Sequence, residues 1–327
     1  MNEAPDDNGT TSGPGIGSDA ERRVNLTRYL TRDEIEQVRA RSTWRGIGMI
    51  AHCWGTIAAM MALVAWFPNP MTILLAIMVI GSRQLGLAIL MHEGAHGGLA
   101  GNGKLNLWLS QWFCAYPIGT ETLGYRRYHL QHHAHAQTAR DPDLSLSAAF
   151  PTTRTSLMRK LMRDLTGQTG LKQRKAQFIG AFGASDMRVR ERSAMFITRL
   201  GRPLLVNALL LAVLSVAGFW WFYPLLWVLP LLTWFQAVTR IRNIAEHSVL
   251  PEDNPWRVAR TTYASRIERA LLAPYWVNYH AEHHMMASVP CYRLERMHKL
   301  LRTKGIDGKL EIKPGYLAML RVAAPRR

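Results

Sequence analysis

The sequence predicts an all-α integral membrane protein, with four transmembrane helices in two hairpins and a helical cap on the cytosolic side. Three observations predict it. Apolar residues make up 48% of the 327-residue chain and pool into long runs, each of about 20 residues, enough for one helical bilayer crossing. The runs come in pairs, each pair joined by a short break containing proline. Lys and Arg avoid both breaks and concentrate elsewhere.

Taken in chain order, residues 1–20 are rich in Gly, Ser, Asn and Asp and lack the apolar core of a signal peptide, so a disordered N-terminal tail is expected. Residues 21–45 read as a cytosolic amphipathic helix region, because Thr31 and Glu34 have capping-box spacing. A membrane domain is expected over 46–310, with spans at 46–67, 71–91, 203–222 and 224–241. Pro68-Asn69-Pro70 breaks the first pair and Tyr223-Pro224 the second. Trp66, Phe67, Trp220, Trp221, Phe222 and Tyr223 gather at those breaks, as in the aromatic belt of a membrane interface. A further apolar stretch, 105–118, is too short to cross, and its Trp108, Trp112 and Tyr116 suggest an interfacial or re-entrant helix. Residues 311–327 read as a basic C-terminal tail. By the positive-inside rule, both termini and the loop over 97–202 lie in the cytoplasm, which in a bacterial cell makes this an inner-membrane protein.

The formal net charge of +17 calls for an anionic partner. No nucleic-acid-binding motif accompanies the basic residues, and the apolar runs favour a membrane surface over nucleic acid. The strongly basic stretch 154–202 reads as a solvated or headgroup-facing surface, or as a dock for an acidic electron-donor or acyl-carrier protein. Cys53, Cys114 and Cys291 are three, scattered and without CxxC spacing, which excludes a disulfide framework and a cysteine metal site.

Nine of the twelve histidines fall into clusters beside the cytosolic ends of the apolar runs: His92 and His96; His129, His132 and His133; His247; and His280, His283 and His284. On a helix, residues three and four apart share a face, so each box presents its imidazoles together. One metal takes about four to six ligands, so nine neutral imidazoles suit two. His247 earns its place from its position after the fourth span, with Asn243 one turn before it. Glu93, Glu282, Asp141 and His135 lie within or beside the boxes and are expected to support the ligands from behind. His52, in the first span, and His298 read as structural.

His92-Glu93-Gly94-Ala95-His96 also matches HExxH, the pattern of zinc proteases. An intramembrane zinc protease needs a third ligand, commonly an acid in a later span. The third and fourth spans hold no Asp or Glu, and the reading leaves both HxxHH boxes unexplained.

The full order, HxxxH followed by two HxxHH boxes, resembles the membrane fatty acid desaturase superfamily. The likeness is most specific at Arg127-Tyr-His-Leu-Gln-His-His-Ala-His135, Asp141-Pro-Asp143 and Asn278-Tyr-His-Ala-Glu-His-His284. It implies four transmembrane helices under a cytosolic cap and a histidine-held non-haem diiron centre. Asn243 and His247 have the spacing at which such a His ligates and such an Asn reaches the metal through water. The implied activity is O2-dependent desaturation of an aliphatic, fatty acyl or lipid, chain. Hydroxylases, ketolases and alkane monooxygenases share similar boxes, and desaturation of a non-acyl small amphiphile is a further alternative. Arg83 and Gln84, about 13 Å of helix before His92, are candidates for holding a substrate headgroup. The chain shows neither a GxGxxG nucleotide motif nor an Fe–S cysteine set, so an external ferredoxin, rubredoxin or cytochrome-type electron donor is expected.

Overall fold

The computed structural model describes residues 24–251 and 254–325. The expected tail over 1–20 lies outside them. Among the described residues the chain is mostly helical. Four helical stretches are long and apolar enough to cross a membrane: Arg32–Trp66, Pro70–Ala95, Val189–Val216 and Tyr223–His247.

The first stretch holds α1 (Arg32–Arg39) and α2 (Thr43–Trp66). Both bonds of the expected capping box form: Thr31 Oγ1 accepts from Glu34 N, and Glu34 accepts from Thr31 N. Helix α3 (Pro70–Ala95) restarts at once, because Asn69 caps it and Pro70 fills the first turn, where no N–H is needed. Helices α2 and α3 then pack along each other. The short stretch over 105–118 becomes α4 (Gly103–Leu109), a π-helical turn (Ser110–Ala115) and a 3-10 turn (Tyr116–Ile118). It lies directly on α3: a Cβ added at Gly94 would sit 2.1 Å from Ser110 Oγ, and Asn106 Nδ2 donates to Gly94 O at 2.8 Å. Glycine is therefore required between His92 and His96 for this close approach.

Next come α5 (Thr122–His135), α6 (Leu144–Ser147), α7 (Arg154–Leu165) and α8 (Gln168–Ala181). The last two carry much of the basic stretch. Part of that charge is used internally: Arg174 donates to Ile118 O at 3.0 Å, while the buried Asp164 of α7 pairs with Arg240 from outside the stretch.

The third and fourth apolar stretches differ from expectation. Helix α9 (Val189–Val216) starts fourteen residues before Pro203 and carries that proline inside it. A proline there lacks the N–H that would bond the Arg199 carbonyl and so forfeits one backbone hydrogen bond; the helix continues through it, and one turn on Asn207 Nδ2 donates to Pro203 O at 2.9 Å. The fourth stretch is not one continuous helix. A π-helical turn (Tyr223–Val228) leads into α10 (Leu229–Leu232), and Thr233 breaks the helical geometry before α11 (Trp234–His247). Pro230, just after the π-helical turn, lacks the N–H that would have continued the backbone ladder. Outward-facing apolar residues on α9, such as Val213 and Val216, 66% and 92% exposed, make a surface suited to lipid.

The remainder surrounds the ends of α3, α5 and α11. Strand β1 (Arg260–Thr262) is followed by α12 (Arg266–Leu271), α13 (His280–Met285) and α14 (Cys291–Thr303). Residues 311–323 do not form the tail expected there. Glu311–Lys313 is β2, paired in parallel with β1, and α15 (Tyr316–Ala323) packs on α11, burying Tyr316, Met319 and Ala323. The signals of this segment are short and its partners distant in sequence, so charge dominated its appearance.

Candidate metal centre

Four elements deliver the nine histidines. His92 lies in the last turn of α3 and His96 caps its end; α5 carries His129, His132 and His133; α11 ends on His247; α13 carries His280, His283 and His284. All nine converge, and they sort into two groups. His92, His96, His129, His133 and His283 form the first; His132, His247, His280 and His284 form the second. Within each group one ligand atom per residue lies within 4.8 Å of all the others.

Both HxxHH boxes are divided. The i,i+4 pair His129/His133 joins the first group and His132 the second. On α13 the i,i+4 pair His280/His284 joins the second and His283 the first. Each helix therefore serves both groups, which locks the two together.

The spacing fits metal ions. His133 Nε2 lies 2.9 Å from His129 Nε2 and 3.0 Å from His283 Nε2. His280 Nε2 lies 2.9 Å from His247 Nε2 and 3.2 Å from His284 Nε2. A metal holds imidazole nitrogen at about 2.1 Å, so two such nitrogens at a right angle stand about 3.0 Å apart. A neutral imidazole has one N–H and one lone pair, so rings converging in threes cannot all satisfy each other. Both ring nitrogens of His92, and His96 Nε2, are buried without a hydrogen-bond partner. A cation would satisfy such a set.

Burial keeps the rings neutral and their lone pairs available. Desolvation pulls His96 down to about 4, and burial with neighbouring imidazoles holds His129, His280, His283 and His284 well below the ordinary histidine range.

The supporting residues expected from sequence fare differently. Asp141 stands beside His132: Oδ1 lies 2.8 Å from His132 Nδ1, and its carboxylate is fixed by the backbone N–H groups of Gln137 and Asp143 at 3.0 and 2.8 Å. Glu93 Oε1 lies 3.4 Å from His92 Nδ1, without hydrogen-bond geometry, while Oε2 accepts from Cys291 N at 2.8 Å. Its main bond thus ties α3 to α14. Glu282 turns away from the boxes. It accepts from Thr261 Oγ1, and its other oxygen lies 2.6 Å from His298 Nδ1. His298, read from sequence as structural, is buried in the network behind α13, with Nε2 2.9 Å from the Tyr263 hydroxyl. Asn243 is half-buried on α11, one turn before His247; His135 ends α5 and belongs to neither group.

Two supporting residues escaped sequence reasoning. Arg260, fully buried on β1, donates to the carbonyls of Ala245, Ser248 and Val249, holding the α11 end that presents His247. Glu246 places Oε2 3.6 Å from His280 Nε2. The only sequence signal for Glu246 was its adjacency to His247.

Of two cavities among the described residues, one reaches the centre and one does not. One of about 420 Å³ is lined by His133 and His284, one from each group, with Leu130, Trp256 and Met285. The other, about 730 Å³, lies between α2, α3 and α12 and is lined by Arg45, His52, Arg83, Arg269 and Tyr275, with none of the nine histidines. Arg83 also donates to Ala270 O. Gln84 lines neither cavity and donates to Trp227 O at 2.7 Å.

The family model for fatty acid desaturases matches residues 65–313. The chain belongs to this family. Dihydrorhizobitoxine desaturase of Bradyrhizobium elkanii is 28% identical over 246 residues, covering 72% of this chain and 68% of the relative. The protein is an oxidoreductase of the desaturase type. The HExxH segment accordingly contributes two ligand-type residues to a five-histidine group, rather than standing as a protease motif.

Proposed function

We propose that the protein is a membrane-bound, O2-dependent diiron oxidase that desaturates an aliphatic, fatty acyl or lipid, chain with electrons from a separate donor. The division of nine histidines into two groups, each with metal-ligand spacing, carries this reading. His92, His96, His129, His133 and His283 would hold one iron; His132, His247, His280 and His284 would hold the other. When bound, the irons supply the reductive activation of dioxygen needed to oxidise an unactivated CH2–CH2 unit. The overall reaction consumes one O2, two electrons from the donor and two protons, and yields one C=C bond and two waters. The residues fix the geometry: Asp141 orients His132, Arg260 anchors the turn bearing His247, and Gly94 lets α3 approach its neighbour closely enough to present His92 and His96. Burial of the rings excludes bulk water from the reacting carbon. Asn243, one turn before His247, would act on the second iron through water.

Both termini and the boxes face the cytoplasm in this reading, where a ferredoxin, rubredoxin or cytochrome-type donor can reach the basic surface of α7 and α8. Arg83 is proposed to meet a headgroup in the larger cavity. A second reading, desaturation of a small amphiphile, is favoured by the name of the Bradyrhizobium relative and by the cavity reaching His133 and His284. Hydroxylation or ketone formation on the same centre is the remaining outcome.

The test is expression in a bacterial host with a donor system, followed by mass spectrometry. Lipids lighter by two hydrogens support acyl desaturation, and lipids heavier by one oxygen support hydroxylation. Unchanged lipids, with a small amphiphile desaturated in the purified system, support the second reading.

A further inference from the structure

We propose that Glu246 supplies a carboxylate ligand to the ion held by His132, His247, His280 and His284, so that the two metals sit in unequal fields. This rests on the two-metal reading above and adds an anion that the histidine boxes do not contain.

Glu246 precedes His247 at the end of α11 and is 2% exposed. Its two oxygens are used differently. Oε1 accepts from Arg242 Nε at 2.7 Å, a pair one helical turn apart. Oε2 is buried and has no hydrogen-bond partner among the described residues, yet it lies 3.6 Å from His280 Nε2. That nitrogen stands at the middle of the second group, 2.9 and 3.2 Å from the corresponding nitrogens of His247 and His284. A buried carboxylate oxygen left unpaired is costly, whereas a bound cation would satisfy it. Arg242 fixes the side chain and leaves Oε2 aimed at the group, rather than gripping both oxygens as a bidentate pair would.

The acid beside the first group is held differently: Glu93 accepts from Cys291 N through Oε2, and its Oε1, 3.4 Å from His92 Nδ1, is not a buried oxygen left without a partner as Glu246 Oε2 is. The first ion would see five neutral imidazoles, the second four imidazoles and one negative charge. A hard, charged oxygen ligand favours the more oxidised state of the metal it binds, so the second ion is the one more easily oxidised.

The experiment uses the full-length protein in detergent, stripped of metal and titrated with Fe²⁺ under anaerobic conditions. Wild type is expected to bind two ions and to show two ferrous Mössbauer doublets. In Glu246→Gln, one ion should bind as in wild type, the second at least tenfold more weakly, and one doublet should change while the other stays. Unaltered affinities and doublets in a monodisperse Glu246→Gln protein would overturn the proposal and leave the carboxylate as a counterion to Arg242. Should that variant not fold, a cryo-EM map of iron-loaded wild type decides. Oε2 at about 2.1 Å from the second ion supports ligation, and Oε2 beyond 3 Å overturns it. Binding of fewer than two ions by wild type would instead bring down the two-metal reading itself.

Discussion

The two histidine groups use the same side chain but are held by different means. The first is positioned by packing. His92 and His96 follow from where α3 ends against Ser110 and Asn106, and the adjacent acid, Glu93, spends its main hydrogen bond on Cys291 N. The second relies more on polar groups behind its rings: Asp141 on His132 and the Val258 carbonyl 3.4 Å from His247 Nδ1. Packed rings depend on the fold as a whole, whereas polar-supported rings can be loosened one bond at a time. The second group should therefore be tunable by single, nearly isosteric substitutions that leave the first untouched.

The largest expected effect comes from removing a ring. His132→Ala should abolish turnover and bring iron from about two per chain toward one, and His283→Ala should do the same from the other group. Iron analysis of both purified variants checks this, and full activity in either would remove that residue from the site. Next is Asp141→Asn, which keeps the shape but takes the charge from His132 Nδ1. Loss of such a support typically weakens metal binding about 10–100-fold, so titration should find one ion weakened and one unchanged. Equal weakening of both would erase the distinction between the groups.

A smaller effect is expected at His298. His298 reads from sequence as structural, and its ring is buried against Glu282 and Tyr263. Removing it leaves a buried carboxylate short of a partner, at a cost of about 1–3 kcal/mol, readable as a lower unfolding temperature of the detergent-solubilised protein. The smallest is Glu93→Gln. The amide oxygen still accepts from Cys291 N, so a loss of about 1 kcal/mol and unchanged iron content are expected. Iron loss here as large as in Asp141→Asn would show that the first group leans on its acid after all.

The candidate site was more legible than the fold around it, for reasons that can be named. Caps and breaks are local, so Thr31, Glu34, Asn69 and Pro70 marked real boundaries. Pro203 misled because proline often opens a helix, yet α9 runs through it at the loss of one backbone hydrogen bond. The 311–323 segment misled because its strand pairs across about fifty residues with β1, and three-residue strands carry no period of their own.

By itself the sequence determined which side chains would be ligand-type, because the helical repeat turns residues three and four apart to one side of one element. It also determined four apolar stretches, because crossing a bilayer sets a minimum length. Only the tertiary structure decided how the rings are shared. A step of four residues turns a helix by about +40° and a step of three by about −60°, so His132 and His133 diverge enough to serve different ions. Which ion each meets depends on what α11 and α13 bring opposite. That same meeting drew in Glu246 and Asp141 and sent Glu282 to His298, since an acid's partner is set by what stands across from it in space, not by its neighbours along the chain.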